Sequence, residues 1–220
     1  MTNICINAEL KSRCPKLKLG CIIADVTVAE SDIGLTAEIN KRIETIRQST
    51  IIDEISKIPA IEASRKAYKA CGKDPARYRL SAEALLRRVV SGKGLYEINN
   101  VVDQLNLVSI TSGFSIGGYD ADQIQGDVSF GIGKADEPYS GIGRGALNIE
   151  NLPVFRDQLG AFGSPTSDSQ RTEVTSQTRN FLMILIDFGN APHLEDAKQL
   201  AILFLKKYCM ATNINEFNIE

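Results

Sequence analysis

The chain has no tryptophan and one histidine, and aromatic residues make up only 6% of its 220 positions. That histidine, His193, follows Pro192 where the pattern predicts a helix start, and it reads as a surface residue with no nucleophile beside it. A histidine-dependent triad is therefore excluded, and any metal site would have to be built from carboxylates. Long apolar runs are also missing: Gly20 to Val28 is broken by Asp25 and Phe181 to Ile186 is short, so neither approaches the roughly 18 residues of a membrane helix. The opening MTNICINAELKSRCPK carries charge throughout and lacks the apolar stretch of a secretory signal, which points to the cytoplasm. Cys5, Cys14, Cys21, Cys71 and Cys209 are odd in number and form no C-x-x-C. They read as reduced thiols, without a disulfide frame or a zinc site.

Phosphate-loop signatures are absent too. The glycine patterns at 131–133 (GIG) and 141–145 (GIGRG) do not precede a helix at the required spacing, and no G-K-[ST] occurs. Asp120, Asp122 and Asp127 sit in a turn leading into a strand, unlike a calcium loop. The expectation is a protein with no cofactor and no metal.

What is present is charge, unevenly spread. The net charge is −2, yet Lys57 to Gly94 carries ten basic residues against three acidic ones, and Leu95 to Gln170 reverses this with three against ten. The basic block can hold a polyanion, because each neutralised phosphate releases counterions. The same blocks can instead pair with each other or stand as solvated helix faces.

Periodicity gives an α/β (α+β) chain, read as one unit over 1–220 with an amino-terminal α/β part (1–55), a core (56–188) and a closing helix (189–220). Ile4 to Ile6 and a stretch within Leu17 to Val28 read as strands. Thr36 to Gln48 carries Ile39, Ile43 and Ile46 at helical spacing behind a threonine cap. Pro59 opens a helix that Gly72 ends, and Ser81 is placed to cap AEALLRRVV. A third helix runs from Asn99 to about Ser112, with Val101, Val102, Leu105 and Val108 on its apolar side and a polar stripe of Asn99, Asp103 and Asn106, stopping at Gly113. Nine of the seventeen glycines then fall between Gly113 and Gly145, which predicts short strands and close backbone approaches in a glycine-rich β lobe. FLMILIDF from Phe181 is too apolar for a sheet edge, and Leu194 to about Tyr208 closes the chain as an amphipathic helix.

The run Tyr96 to Phe130 orders Asn99, Val101, Val102, Asp103, Asn106, Gly113, Tyr119, Asp120 and Gly126 at the spacing N-x-V-V-D-x-x-N, glycine turn, aromatic-Asp, glycine, strand. In this it resembles the B3/B4 domain of the phenylalanyl-tRNA synthetase beta subunit. A later block, SQRTEVTSQTRNFLMILIDF with Val174 and Thr178, is similar to that family's polar loop and buried strand. The basic segment most resembles free-standing members of the family, which lack a synthetase catalytic domain. Two positions depart from the pattern: Gly117 stands where the family has His, and Leu105 where it has Thr.

The resemblance implies a mixed sheet flanked by helices and an editing module that hydrolyses a mischarged aminoacyl-tRNA. The chemistry asks for a pocket that holds an amino acid, a ribose hydroxyl and a water, with specificity from hydrogen bonds. Asn106 with the backbone of Gly117 and Gly118 is the expected catalytic group, an oxyanion donor being worth about 100- to 1000-fold. Asn99, Asp103, Asp168 and Arg171 are the expected substrate contacts. Arg65, Lys66, Lys69, Arg77, Arg79, Arg87 and Arg88 are the expected RNA contacts. The implied partner is the aminoacylated acceptor end of tRNA, with no DNA and no membrane. Two alternatives stay open: a non-catalytic tRNA-binding or synthetase-associated module, and a small-molecule hydrolase or amino-acid-binding protein that reuses the pocket.

Overall fold

A computed structural model of the chain describes residues 3–189 and 191–220. Its central element is the four-stranded sheet β10-β2-β9-β3, built from β2 (Lys18–Asp25), β3 (Ser115–Asp120), β9 (Asn180–Asp187) and β10 (Thr212–Ile219), with all neighbours antiparallel. A second sheet, β1-β4-β7-β8, is formed by β1 (Ile4–Ile6), β4 (Val128–Ile132), β7 (Pro153–Asp157) and β8 (Gly160–Gly163), with β1 parallel to β4. A two-stranded ribbon joins β5 (Ser140–Gly141) and β6 (Gly145–Ala146). The helices are α1 (Ala8–Arg13), α2 (Ile33–Ser49), α3 (Pro59–Cys71), α4 (Ser81–Val90), α5 (Asn100–Ser112) and α6 (Leu194–Tyr208). The mixed α/β architecture read from periodicity is the one observed.

The central strand explains why FLMILI is apolar at every position. Successive side chains of a strand point to opposite faces, and β9 lies between β2 and β3 with both faces covered. Phe181, Met183 and Leu185 enter the core shared with the helices, together with Leu105 and Val108 of α5 and Ala201 and Leu205 of α6. Leu182, Ile184 and Ile186 enter a second core against Val128, Phe130, Phe155 and Phe162 of the other sheet. The stacked pair Phe130–Phe155, with centroids 4.1 Å apart, anchors this inter-sheet layer.

Several boundaries differ from those read in the sequence. α2 starts three residues before Thr36, because the Asp32 carboxylate accepts the Leu35 N–H at 2.7 Å and caps the helix there. Ser81 is the first residue of α4 and not its cap; its N–H donates to Pro165 O at 2.7 Å. Gly72 and Gly113 do end α3 and α5, both left-handed at φ 90° and 80°. The carboxyl-terminal part holds more than a closing helix: β10 follows α6 and covers the outer edge of β2. The glycine-rich lobe is divided, with β3 belonging to the central sheet and β4 to the second.

Candidate functional site

β3 is an edge strand, so one row of its backbone groups faces away from β9. Beside that edge lies a cleft of 170 Å³, walled by Val102, Leu105 and Asn106 of α5, Ile116 and Gly118 of β3, and Ser164, Ser167 and Asp168 of the loop after β8. Glu173 and Val174 close one side, and Ile98, Ile142 and Ser81 form the lip. Apolar walls with a few converging polar groups are the usual make-up of a small-ligand site. The volume suits a group of amino-acid size.

Asp168 is the most constrained of these groups. Its Oδ1 accepts the Tyr119 hydroxyl at 3.0 Å, and its Oδ2 accepts the Gly118 N–H at 3.4 Å on the free edge of β3. Burial pushes its carboxyl up to about 7, against the opposing pull of the Tyr119 hydroxyl and the Gly118 N–H. Tyr119 keeps its proton: burial, and then the charge of Asp168, raise its phenol well above the ordinary value. The loop carrying Asp168 is fixed from several directions. Tyr139 donates to Ser167 O at 2.6 Å, Tyr68 pairs with Thr166 at 2.8 Å, the Ser164 hydroxyl donates to Ser167 O at 2.9 Å, and Ile142 N–H donates to Asp168 O at 2.9 Å.

The two glycines make this arrangement sterically possible. A β-carbon on Gly117 would collide with the Tyr119 hydroxyl, and one on Gly163 would meet the same atom. A β-carbon on Gly118 would lie 2.5 Å from Leu105 Cδ1. At the position where the resemblance calls for His, this chain thus needs a glycine, because Tyr119 fills the space and delivers a hydroxyl to Asp168. Gly118 borders the cleft and Gly117 does not. The Gly118 N–H already serves the carboxylate, so the expected pair of backbone oxyanion donors is not free.

The other expected site residues separate. Asn106 faces the cleft and its amide has no hydrogen-bond partner within the described residues. Asp103 does not join it. Asp103 accepts Ser31 Oγ at 2.6 Å and Ile98 N–H at 3.0 Å, borders a separate polar depression of 610 Å³ beside α2, and has its carboxyl raised chiefly by burial. Asn99 caps α5 by accepting Val102 N–H at 2.9 Å. Arg171 lies outside the cleft, bound to Asp157 through both carboxylate oxygens at 2.8 and 3.0 Å and to Gln123 O at 2.9 Å. Glu173, which sequence reasoning passed over, adds a second carboxylate to the wall. Its only signal was proximity to the polar loop before β9.

A groove of 470 Å³ adjoins the cleft and shares Ser81, Ile98, Val102 and Asn106 with it. Five cations and no acids border this groove: Arg79, Arg87, Arg88, Lys93 and Arg144. Glu83, 1% exposed, orients three arginines at its margin, holding Arg65 at 2.7 Å, Arg87 at 2.9 Å and Arg79 at 4.0 Å. Of the expected RNA contacts, Arg79, Arg87 and Arg88 border the groove. Lys66 instead pairs with Glu62 at 2.7 Å, Lys69 is exposed on α3, and Arg77 lies 5.6 Å from the Tyr78 ring. Lys93 and Arg144 were missed, Arg144 because it sits in the acidic block of the sequence. A larger cleft, 670 Å³, lies elsewhere, between α1, α3 and the turn after β9. Two of its polar groups are used internally: Asp187 accepts Gly189 and Ala191 N–H, and His193 bonds Ser112 O and stacks on Phe114 at 4.8 Å.

The B3/4 domain family matches residues 63–203, most of the chain and every residue that lines the cleft. The chain belongs to the B3/4 domain family. Among solved structures, it is similar to an amino-terminal fragment of the phenylalanyl-tRNA synthetase beta subunit from Pyrococcus horikoshii, with a TM-score of 0.51 at 13% identity. That similarity, at the level of fold, covers 99% of this chain and 54% of the other, so this B3/4 protein spans about half the length of its structural neighbour. No curated protein sequence matches it. Among the described residues no helix is long and apolar enough to cross a membrane.

Proposed function

We propose that this B3/4 protein hydrolyses the ester bond of a mischarged aminoacyl-tRNA, with the aminoacyl group in the 170 Å³ cleft and the acceptor end along the basic groove. The observation that carries this reading is a carboxyl, Asp168, held by Tyr119 and Gly118 and raised toward neutrality by burial, on the wall of a small cleft that adjoins a groove whose charged lining residues are all cations. A general base works best when its pKa lies near the working pH. Asp168 takes a proton from water as the water oxygen attacks the ester carbon, and the ribose oxygen leaves with a proton returned from the same carboxyl. Tyr119 and the Gly118 N–H orient the carboxylate. The unpartnered Asn106 amide donates to the ester carbonyl, and Glu173 holds the α-ammonium group. Arg88, Lys93 and Arg144, which have no carboxylate partner among the described residues, meet phosphate.

One observation favours a second reading, a tRNA-binding or synthetase-associated module without hydrolysis: the Gly118 N–H is spent on Asp168 and cannot also stabilise an oxyanion. Deacylation measured over a panel of aminoacyl-tRNAs, with Asn106→Ala and Asp168→Asn beside the native chain, decides between them. Selective deacylation that both substitutions abolish supports the hydrolase. A flat panel with intact tRNA binding supports the module. Neither binding nor deacylation would leave the small-molecule alternative.

A further inference from the structure

Between α4 and α5 the chain runs through an extended segment that carries Tyr96 and Ile98 to the lip of the groove. Tyr96 is 56% exposed, although one face of its ring is covered by the Arg88 guanidinium, whose central carbon lies 3.9 Å from the ring centroid. The uncovered side of the ring therefore faces open space. Arg88 Nε is buried with no hydrogen-bond partner, and Arg88 has no carboxylate within ion-pair reach among the described residues. The two side chains hold each other through this cation–π contact; what it leaves over, an exposed ring and a guanidinium without a carboxylate, matches a ligand that is planar and anionic.

The segment is held in place. Ile98 N–H donates to the buried Asp103 carboxylate at 3.0 Å, and that carboxylate is fixed in turn by Ser31. Asp103, expected as a substrate contact, thus anchors the segment that presents Tyr96. Ile98 borders both groove and cleft, so Tyr96 stands two residues from the entrance where the ester must sit.

We infer that Tyr96, backed by Arg88, is a stacking platform for an unpaired nucleobase at the 3′ end of the bound RNA. The inference rests on the RNA reading above and adds to it a residue that sets register. Single-stranded ends are recognised by stacking on aromatic rings and on guanidinium planes, in any sequence, while cations track the backbone. The base lies on the open face of Tyr96, Arg88 supports the ring from behind, the groove cations Lys93 and Arg144 meet the neighbouring phosphate, and the terminal ribose is then delivered past Ile98 into the cleft.

The test uses the full chain and a fluorescently labelled eight-nucleotide single-stranded RNA with a free 3′ hydroxyl, read by anisotropy over a salt series. Tyr96→Ala should weaken binding about tenfold or more with the salt dependence unchanged, since no charge is removed, and Tyr96→Phe should bind as the native chain does. An oligonucleotide abasic at its 3′ position should bind the native chain more weakly than the intact one, yet bind Tyr96→Ala no worse. Native-like binding by Tyr96→Ala overturns the platform and leaves the RNA reading standing. An absence of salt-sensitive RNA binding by the native chain overturns both.

Discussion

At the scale of residues, the site turns on how one carboxyl is held. Asp168 retains its proton up to about pH 7, whereas an aspartate of the unfolded chain loses it near 4. The native state therefore binds the extra proton between these values. The stability it lends is complete below about pH 4 and is lost as pH rises through about 7. Asp168→Asn, whose amide oxygen still accepts from Tyr119 while its NH2 gives up the long 3.4 Å bond from Gly118 N–H, should therefore gain stability relative to the native chain on going from pH 4 to pH 8, measured as the difference in melting temperature at both values. In the hydrolase reading the active form is the carboxylate, so deacylation should rise with pH and level off above about 7, and Asp168→Asn should lower it by about 100- to 10,000-fold without loss of tRNA binding. Gly117 gives an independent handle. Gly117→Ala drives a methyl group into the Tyr119 hydroxyl, which is packed on all sides, and should cost about 1–3 kcal/mol of stability in a denaturant titration. The sequence marked Asp168, Asn106 and the two glycines but could not group them correctly. Which carboxylate Arg171 meets, and that the Tyr119 hydroxyl turns over Gly117 to reach Asp168, depend on packing between residues 14 and 49 positions apart.

At the scale of elements, α5 shows which signals are local and which are not. Its glycine stop and its Asn99 cap are one-turn effects and were legible from neighbouring residues. Its polar stripe was legible as a stripe, but its destination was not: Asp103 turns to Ser31 and Ile98, while Asn106, one turn further, reaches the cleft. The next residue after the cap matters more for assembly. The Asn100 amide donates to Thr27 O at 2.9 Å and Tyr208 O at 2.8 Å while its oxygen accepts Ala29 N–H at 2.9 Å, joining α5 to the end of α6 and to the chain leaving β2. Asn100→Ala strands these buried groups and should cost about 2–4 kcal/mol, against about 1 kcal/mol for Asn99→Ala, a ranking that urea titration of the two variants tests directly. β10 escaped notice for a physical reason as well. TNINEFNI alternates polar and partly covered residues at a sheet edge, and with only Phe217 and Ile219 packed on the inter-sheet core its apolar signal is too short to mark a strand.

At the scale of the whole molecule, the two cores place the chemistry at a border. One core binds the central sheet to α5 and α6, the other binds it to the second sheet, and β3 is the edge where the two meet. A carboxyl can be supported there from the inter-sheet side by Tyr119 while the cleft opens on the helical side beside Asn106. The same geometry brings Arg144 from the acidic block of the sequence to the basic residues of α4, so the local field at the groove is positive although the chain carries a net −2. A count of charge along the sequence finds the basic block but neither its focus nor the residues within it that Glu83 and Glu62 already occupy. The distinction has a measurable consequence. Arg88, Lys93 and Arg144 are without ion-pair partners among the described residues, so replacing all three by alanine removes phosphate contacts and breaks no salt bridge. Each phosphate contact on single-stranded RNA contributes about 0.7 to the slope of log K against log salt, so the triple variant should bind with a slope smaller by about two and weaken most at low salt. Its stability in a urea titration should fall by no more than about 1 kcal/mol, the worth of the Arg88 contact on the Tyr96 ring, because no ion pair is broken. A slope equal to that of the native chain, with the fold intact, would remove phosphate from this groove and move the RNA path to another face of the molecule.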